Sequence, residues 1–389
     1  MYQQVKLDEV CVRKIETISS DENGLIDYFD IASVDNTKKK IISHQSLKVK
    51  EAPSRAKQIV QLNDILVSTV RPNLNAIAMI DNKTKNKMVA STGFCVLRAS
   101  EKIEPRYLFY FVQSPTFINS MTAQATGASY PAVSNSIVKS SHIPLPDLPT
   151  QRRIADTLDK VSEGIGLCGR MMDELDLMVK AKFGEMFGDA HNNSAFPYKN
   201  IGDLTTVTSG GTPDRENNLY WDDGNIRWVK TTELQNCTIC DTEEKITKLG
   251  LENSSAKLVP AGSVLIAMYG QGKTRGMTAY LENESATNQA CACILPSSKI
   301  NQKYLWKYLM LSYDKLRSMA KGGNQPNLNI GIIKNFPVLY PPIELQNQYV
   351  EFVIYIDKSI LTIKGILAKM EEMKLALMQK CFKEGKHGE

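Results

Sequence analysis

Three groups of residues in this 389-residue chain have the types and spacing to do chemistry. Gly270-Gln271-Gly272-Lys273-Thr274 has the Gly-Lys-Thr ending of a phosphate-binding loop. That motif needs another glycine five residues before Gly272 and a helix after the Lys-Thr, but Ala267 stands at the first place and Met277 to Leu281 reads as strand. The stretch is therefore expected to be a flexible polar loop tip rather than a nucleotide site. Cys237-Thr238-Ile239-Cys240 and Cys291-Ala292-Cys293 offer four thiolates on paper. The second pair lacks zinc-knuckle spacing and alternates along a strand-like run, so buried free thiols are expected. Pro213-Asp214 with Glu243-Glu244-Lys245 imitates a metal-dependent nuclease core, yet Asp214 falls in a Gly-Gly-Thr-Pro turn and not on a strand. Histidine occurs only at positions 44, 142, 191 and 387, leaving no Ser/His/Asp set. No Asn-Pro-Pro-Tyr-type methyltransferase motif and no glycine-rich dinucleotide loop is found. What remains is a binding chain without catalysis, cofactor or metal of its own.

Composition sets the bounds on that reading. The balance of 47 basic against 42 acidic residues gives a net charge of +5, a mild bias that alone is consistent with a polyanionic partner or with none. Apolar content of 42% and charged content of 23% describe a soluble globular protein. No run nears the roughly 18 apolar residues of a membrane span, and Met1-Tyr2-Gln3-Gln4 does not begin a signal peptide. Eight cysteines without framework spacing suit a reducing compartment, so a cytoplasmic protein is expected, with no membrane partner.

The elements that must position any binding residues are set by a duplication. With a shift of 195, Pro131 to Phe187 matches Pro326 to Phe382 without gaps: Ile137-Val138-Lys139 falls on Ile332-Ile333-Lys334, and Gln151 on Gln346. Farther upstream, Asp8 falls on Asp203, Asp64-Ile65-Leu66-Val67 on Ser263-Val264-Leu265-Ile266, and Tyr107-Leu108-Phe109 on Tyr304-Leu305-Trp306. Within the matched segments, alternate steps of four and three give Ile154, Leu158, Val161, Ile165, Cys168, Met172, Leu175 and Val179 in one copy, broken at Lys182. The other copy gives Tyr349, Val353, Ile356, Ile360, Ile363, Leu367 and Met370, broken at Lys374. A heptad seam is a coiled-coil signal, and two seams in one chain read as partners. Pro144 to Pro146, Pro149 and Pro341-Pro342 mark where each helix must start after proline. From Ile154 to Met186 the first would run roughly 50 Å, with Gly164, Gly166 and Gly169 as weak points. Before each helix lies a globule with short β runs, such as Ile65 to Val70 and Val264 to Tyr269. Each globule also carries a helix, at Tyr107 to Ser120 or Gln302 to Ala320. The fold class expected is α+β, with the two like globules at opposite ends of an antiparallel helix pair and an approximate two-fold between them.

In the second globule Ser209-Gly210-Gly211-Thr212-Pro213, Tyr220-Trp221, Ile226-Arg227-Trp228-Val229-Lys230, Ala286-Thr287-Asn288-Gln289-Ala290-Cys291 and Gln325-Pro326-Asn327-Leu328-Asn329 follow one another. In this order the chain resembles the DNA specificity subunits of type I restriction-modification systems. The first half is similar more loosely, through Val67-Ser68-Thr69-Val70-Arg71-Pro72-Asn73 and Gly127-Ala128-Ser129-Tyr130-Pro131. The resemblance implies target recognition domains at residues 1–145 and 190–340, with helical spacers at 146–189 and 341–389. It implies a non-catalytic subunit that reads a bipartite, asymmetric site in double-stranded DNA, one half per domain, as part of defence against foreign DNA. The implied partners are two adenine methyltransferase subunits using S-adenosylmethionine, and restriction/translocase subunits using ATP and Mg. Candidate DNA contacts are Lys230, Thr231, Gln271, Lys273, Arg275, Asn288 and Gln325 in the second domain, and Arg71, Asn73, Asn75, Ser129 and Tyr130 in the first. Gln and Asn suit adenine, and Arg and Lys suit guanine. The first domain lacks the Gly-Gly-Thr-Pro and Thr-Asn-Gln-Ala signatures, so its target should differ. Off-seam Leu167, Met171, Met178, Leu361 and Ile366 are expected to receive methyltransferase helices.

Overall fold

The computed structural model describes residues 2–19, 21–192, 195–270, 272–320 and 326–383. The chain divides into two compact units, Met1–Arg170 with Ile363–Glu389, and Met171–Thr362. Unit 1 contains strands β1 (Gln3–Lys6), β2 (Leu25–Phe29), β3 (Val34–Asp35), β4 (Lys40–Ile41), β5 (Gln45–Lys48), β6 (Ala56–Ile59), β7 (Ile65–Ser68), β8 (Ile77–Met79), β9 (Lys87–Ser91), β10 (Phe94–Leu97) and β11 (His142–Leu145). They form sheets of order β5-β2-β9-β6 and β10-β7-β8, with pairs β1-β11 and β3-β4. Unit 2 contains β12 (Tyr198–Asn200), β13 (Val207–Ser209), β14 (Ile226–Val229), β15 (Cys237–Ile239), β16 (Glu244–Ile246), β17 (Leu258–Val259), β18 (Val264–Ala267), β19 (Thr278–Leu281), β20 (Ser285–Thr287), β21 (Cys291–Ile294) and β22 (Pro337–Leu339). Their sheets run β16-β14-β20-β17 and β13-β21-β18-β19-β15, with the pair β12-β22. Strand for strand, β5-β2-β9-β6 answers β16-β14-β20-β17, and β10-β7-β8 answers β21-β18-β19. The duplication is thus a duplication of topology, parallel pairs β2/β9 and β14/β20 included.

The reason for the short strands is visible in their burial. Ile65, Leu66 and Val67 in unit 1, and Val264 to Ala267 in unit 2, are buried on both faces. One face meets the other sheet and the other meets a helix, so a continuous apolar run replaces the alternation of a solvent-facing strand. The single helices expected over Tyr107 to Ser120 and Gln302 to Ala320 are each broken in two. Pro105–Val112 is followed by Pro115–Gln124, where Ser114 accepts from the Phe117 amide and Pro115 opens the new helix. Gln302–Leu311 is followed by Tyr313–Ser318.

The two long helices span Leu148–Phe187 and Ile343–Phe382, 40 residues each, about 60 Å at 1.5 Å per residue. The first does not wait for its last proline: Pro149 lies in its opening turn, where the missing amide has no partner to lose, and Asp147 accepts from the Thr150 amide at 2.9 Å. Both helices are anchored by the same device. Gln151, buried, accepts from the Glu104 amide at 2.8 Å and donates to the Pro146 carbonyl at 2.8 Å. Gln346 does so with Asn301 at 2.9 Å and Pro341 at 2.8 Å. Every seam position from Ile154 to Met186 and from Tyr349 to Cys381 is buried or half-buried, whereas Leu167, Met171, Met178, Leu361 and Ile366 are exposed. The first helix runs unbroken through its glycines. At Gly164 a Cβ would stand 2.2 Å from the Met370 methyl, so that glycine makes room for the antiparallel neighbour. Lys374, which interrupts the seam, sets its ammonium 5.6 Å from the Tyr110 ring centre. No helix among the described residues is long and apolar enough to cross a membrane.

Each unit takes the start of one long helix and the end of the other. In unit 1 the Phe382 ring lies 5.1 Å from Tyr107 and 5.7 Å from Phe111. In unit 2 Phe187 lies 5.5 Å from Tyr304 and 5.7 Å from Tyr349. Phe382→Ala is expected to destabilise unit 1 by about 3 to 5 kcal/mol. Hydrogen exchange should show protection lost around Tyr107 and kept around Tyr304; equal loss in both units would count against separate cores.

Candidate nucleic-acid interface

In unit 2 the parallel strands β14 and β20 end side by side, Trp228 opposite Ala286 and Val229 opposite Thr287. The chain leaves both at one edge, delivering Lys230 and Thr231 from the first and Asn288 and Gln289 from the second. The Asn288 amide donates to the Val229 carbonyl at 3.0 Å, which ties the two exits together. The segment Gly210-Gly211 crosses this edge so closely that a Cβ on Gly210 would stand 1.9 Å from the Thr287 carbonyl oxygen. Close backbone approach is thus the physical reason for the two glycines. Thr212 then donates to the Gln289 side chain, and the buried Trp228 indole donates to the Gly211 carbonyl at 3.0 Å.

Electrostatics here are internally balanced. Arg215 lies over the rings of Trp221 and Trp228, at 3.8 and 4.7 Å, and donates to Glu244 at 2.6 Å. Lys230 binds Glu243 at 2.8 Å and Glu244 at 2.9 Å, and those two carboxylates raise its pKa. Burial works to raise the Glu244 pKa, but the hydrogen bonds from Lys230 and Arg215 prevail and hold it below the usual range. Asn288 is different: its Oδ1 is buried with no partner. Cys291 and Cys293 lie buried in the apolar cluster beneath, where burial raises the pKa of both thiols.

The Gly270 to Gly276 stretch is a hairpin loop between β18 and β19, closed by Gly276 donating to the Ala267 carbonyl at 2.9 Å. It is braced rather than loose. Arg317 donates to the carbonyls of Gly272 at 2.9 Å and Arg275 at 2.7 Å, and the Tyr313 hydroxyl to that of Lys273 at 2.7 Å. Lys273 is exposed at the tip. Arg275 is half-buried and donates to the Pro326 carbonyl, with its Nε buried and unpartnered. Its guanidinium is therefore engaged with the protein rather than free at the surface. Gln271 and Gln325 lie outside the described residues.

Unit 1 builds the corresponding places from other residues. Thr69 donates to Gly93 and accepts from Val133, as Met268 does with Ala290 and Leu328. The loop Arg71 to Asn75 therefore stands for the Gly270 to Gly276 hairpin. The Arg71 amide donates to the Pro131 carbonyl at 2.7 Å, the counterpart of the carbonyl that Arg275 holds. The Arg71 guanidinium lies 4.9 Å from the Tyr130 ring centre, and Asn73, Ser129 and Tyr130 are exposed beside it. Arg71 and Asn75 both adopt left-handed conformations, φ 49° and 50°, and the Asn75 Oδ1 is buried without a partner. At the parallel strand ends Asp30 and Ser91 occupy the places of Lys230 and Asn288. These two, with Arg215, escaped sequence reasoning, and Thr212 and Gln289 stood there only as members of the quoted motifs. Only the pairing of β2 with β9 and β14 with β20 aligns Asp30 with Lys230 and Ser91 with Asn288.

The family pattern described as the type I restriction modification DNA specificity domain matches residues 1–175 and 193–372. The chain belongs to this family. It is similar to the type I restriction enzyme HindI specificity subunit of Haemophilus influenzae, 23% identical over 377 residues, covering 76% of this chain and 81% of that protein. The MjaIX specificity subunit of Methanocaldococcus jannaschii is 22% identical over 316 residues, covering 76% and 72%. Among solved structures, the S subunit from M. genitalium shares the fold at a TM-score of 0.59 and 13% identity, over 99% of this chain and 97% of that one. A chain from a structure on assembly and conformational transition of the type I R-M system gives 0.63 at 24%, over 98% and 97%. As a type I specificity subunit the chain serves sequence-specific DNA recognition and is not the catalytic component.

Within this specificity subunit, Arg275 joins the hairpin to the proline of the last loop before the helix. Because that guanidinium is spent on the Pro326 carbonyl, Arg275→Ala is expected to weaken DNA binding indirectly, through the loop it holds, by about 1 kcal/mol, the worth of one hydrogen bond. Unchanged affinity in a filter or fluorescence titration would remove Arg275 from the interface.

Proposed function

We propose that the two units read the two halves of a bipartite, asymmetric target in double-stranded DNA, and that this reading directs adenine methylation and restriction by partner subunits. One observation carries the reading: the units share one sheet layout, yet the equivalent positions at the ends of the parallel strands and in the adjoining loops hold different chemistry. Lys230 and Asn288 face Asp30 and Ser91 in that comparison, and Gly272 and Lys273 replace the Arg71 to Asn75 turn. Like scaffolds with unlike edges suit two different half-sites, because base edges differ in donors and acceptors while the phosphate backbone does not. In unit 2 the reading side chains are Thr231, Asn288, Lys273 and Lys230, the last only by giving up Glu243 or Glu244; Gln271 and Gln325 complete the set. In unit 1 they are Arg71, Asn73, Asn75, Ser129 and Tyr130.

The partners in this reading are two methyltransferase subunits, which bring S-adenosylmethionine, and restriction/translocase subunits, which bring ATP and Mg, all in the cytoplasm. Exposed Leu167, Met171, Met178, Leu361 and Ile366 support helix-on-helix docking by the methyltransferase. Co-expression with the methyltransferase in a host lacking adenine methylation, followed by mapping of methyladenine, tests the reading. A single split motif with a fixed gap is expected. Arg71→Ala with Asn73→Ala should alter one half of it, and Thr231→Ala with Asn288→Ala the other. A continuous motif, or both halves altered by one pair, would overturn it.

A further inference from the structure

A second basic surface of unit 1 lies beyond these loops. Strands β3 and β4 close a small hairpin whose turn holds Lys38 and Lys39, with the Asp35 carboxylate accepting from the Thr37 and Lys38 amides at 2.9 Å each. The hairpin is fastened to the Arg71 to Asn75 loop, since Lys39 donates to the Asn75 carbonyl at 2.6 Å and Asn36 to that of Leu74 at 3.4 Å. Just past β4 the chain becomes one wall of an open groove of about 510 Å³, formed by Ile41, Ser43 and His44; the loop Asp81 to Asn86 forms the other.

Buried Asp27 is the floor. It accepts from Ser46 at 2.6 Å and from the Asn86 amide and side chain at 3.0 Å each. Burial opposes its ionisation, but these hydrogen bonds prevail and hold it far below the usual carboxylate range. The carboxylate thus fixes both walls, and its acceptor capacity is spent within the protein. On the rim, Lys83 and Lys85 are exposed, as are Lys38 and Lys40 on the hairpin, and none of the four forms an ion pair among the described residues. The acidic rim residue Asp81 accepts from Asn82 at 3.2 Å. Unit 2 shows the opposite: Arg215, Arg227, Lys230 and Lys245 are all paired with Asp241, Glu243 or Glu244. Its β15 pairs with β19 where unit 1 has the two-stranded β3-β4 hairpin.

We propose that this groove and hairpin are an anchor for the sugar-phosphate backbone beside the half-site read by unit 1, with no equivalent in unit 2. The inference rests on the DNA-reading assignment above. Unpaired ammonium groups on a rigid rim are what phosphates need, and such contacts hold position without naming bases. Neutralising each phosphate also releases counterions, which makes the anchor measurable through salt.

The test uses the complete complex with its methyltransferase subunits and a duplex carrying the mapped motif. Lys83→Gln with Lys85→Gln should weaken binding and flatten the slope of log affinity against log salt by roughly 1.8, the share of two phosphate contacts, while the methylated motif stays the same. Lys14→Gln with Lys102→Gln removes the same charge from exposed sites of unit 1 that do not line the groove. Equal weakening by both pairs would reduce the effect to bulk charge and overturn the anchor, as would an unchanged slope or an altered motif. A wild-type complex without site-specific affinity would overturn the DNA-reading assignment and the anchor with it.

Discussion

The burial of one phenylalanine at the end of each long helix is the constraint on which the rest depends. Phe382 completes the aromatic cluster around Tyr107 and Phe111, and Phe187 does the same around Tyr304 and Tyr349. Neither globule has a finished core without a helix end that belongs, by sequence, to the other copy. Unit 1 must therefore wait for residues near the end of the chain before its core can close, and contacts so distant in sequence are slow to form. What this arrangement secures is precision where the helices begin. Gln151 and Gln346 each bind the backbone on two sides, so the direction in which a helix leaves its globule is fixed by hydrogen bonds rather than by a pliant linker.

On that frame the reading surfaces are made by backbone more than by side chains. Gly210 lets one segment lie against the end of β20 at a distance no side chain permits, Gly211 does the same against Ser255 and Ala256, and Arg317 and Tyr313 hold the neighbouring hairpin by its carbonyls. Rigid loops lose little entropy on binding, which favours specificity from few contacts. The charge distribution follows a different logic in each unit. Unit 2 neutralises Arg215, Arg227, Lys230 and Lys245 in place, while unit 1 leaves Lys38, Lys40, Lys83 and Lys85 without an ion pair among the described residues.

Much of this was legible in the sequence, for a physical reason. The shift of 195 gave the duplication, and the four-three steps gave every seam position, because a helix pair buries side chains at a fixed period. The helix ends at Phe187 and Phe382 also follow from the matched segments. The start at Leu148 did not, because Pro149 was read as a stop although the first turn tolerates it. The breaks at Ser114 and Ser312 were missed as well: Ser114-Pro115 is a helix-start signal that was passed over, and Ser312 follows an apolar run without a side-chain cap of its own. At the interface, exposed loop residues such as Asn73, Ser129, Tyr130 and Lys273 could be named from composition and turn chemistry. Arg275, Asn288 and Lys230 could be named but not weighed: their partners Pro326, Val229 and Glu244 are brought close only by the sheets. Asp30 and Ser91 left no sequence signal, because their equivalence to Lys230 and Asn288 exists only in parallel strand pairing.

The central claim is that the chain carries two copies of one reading device, differing in what they read. Replacing the second globule, residues 190–340, by a second copy of the first, residues 1–145, tests this most directly, because Gln151 and Gln346 make the same pair of backbone hydrogen bonds, each to its own globule. Methyladenine mapping in cells carrying the chimera and the methyltransferase should give a motif made of two copies of one wild-type half-site. The unaltered wild-type motif, or a folded chimeric complex that methylates a sequence containing neither half, would contradict the account.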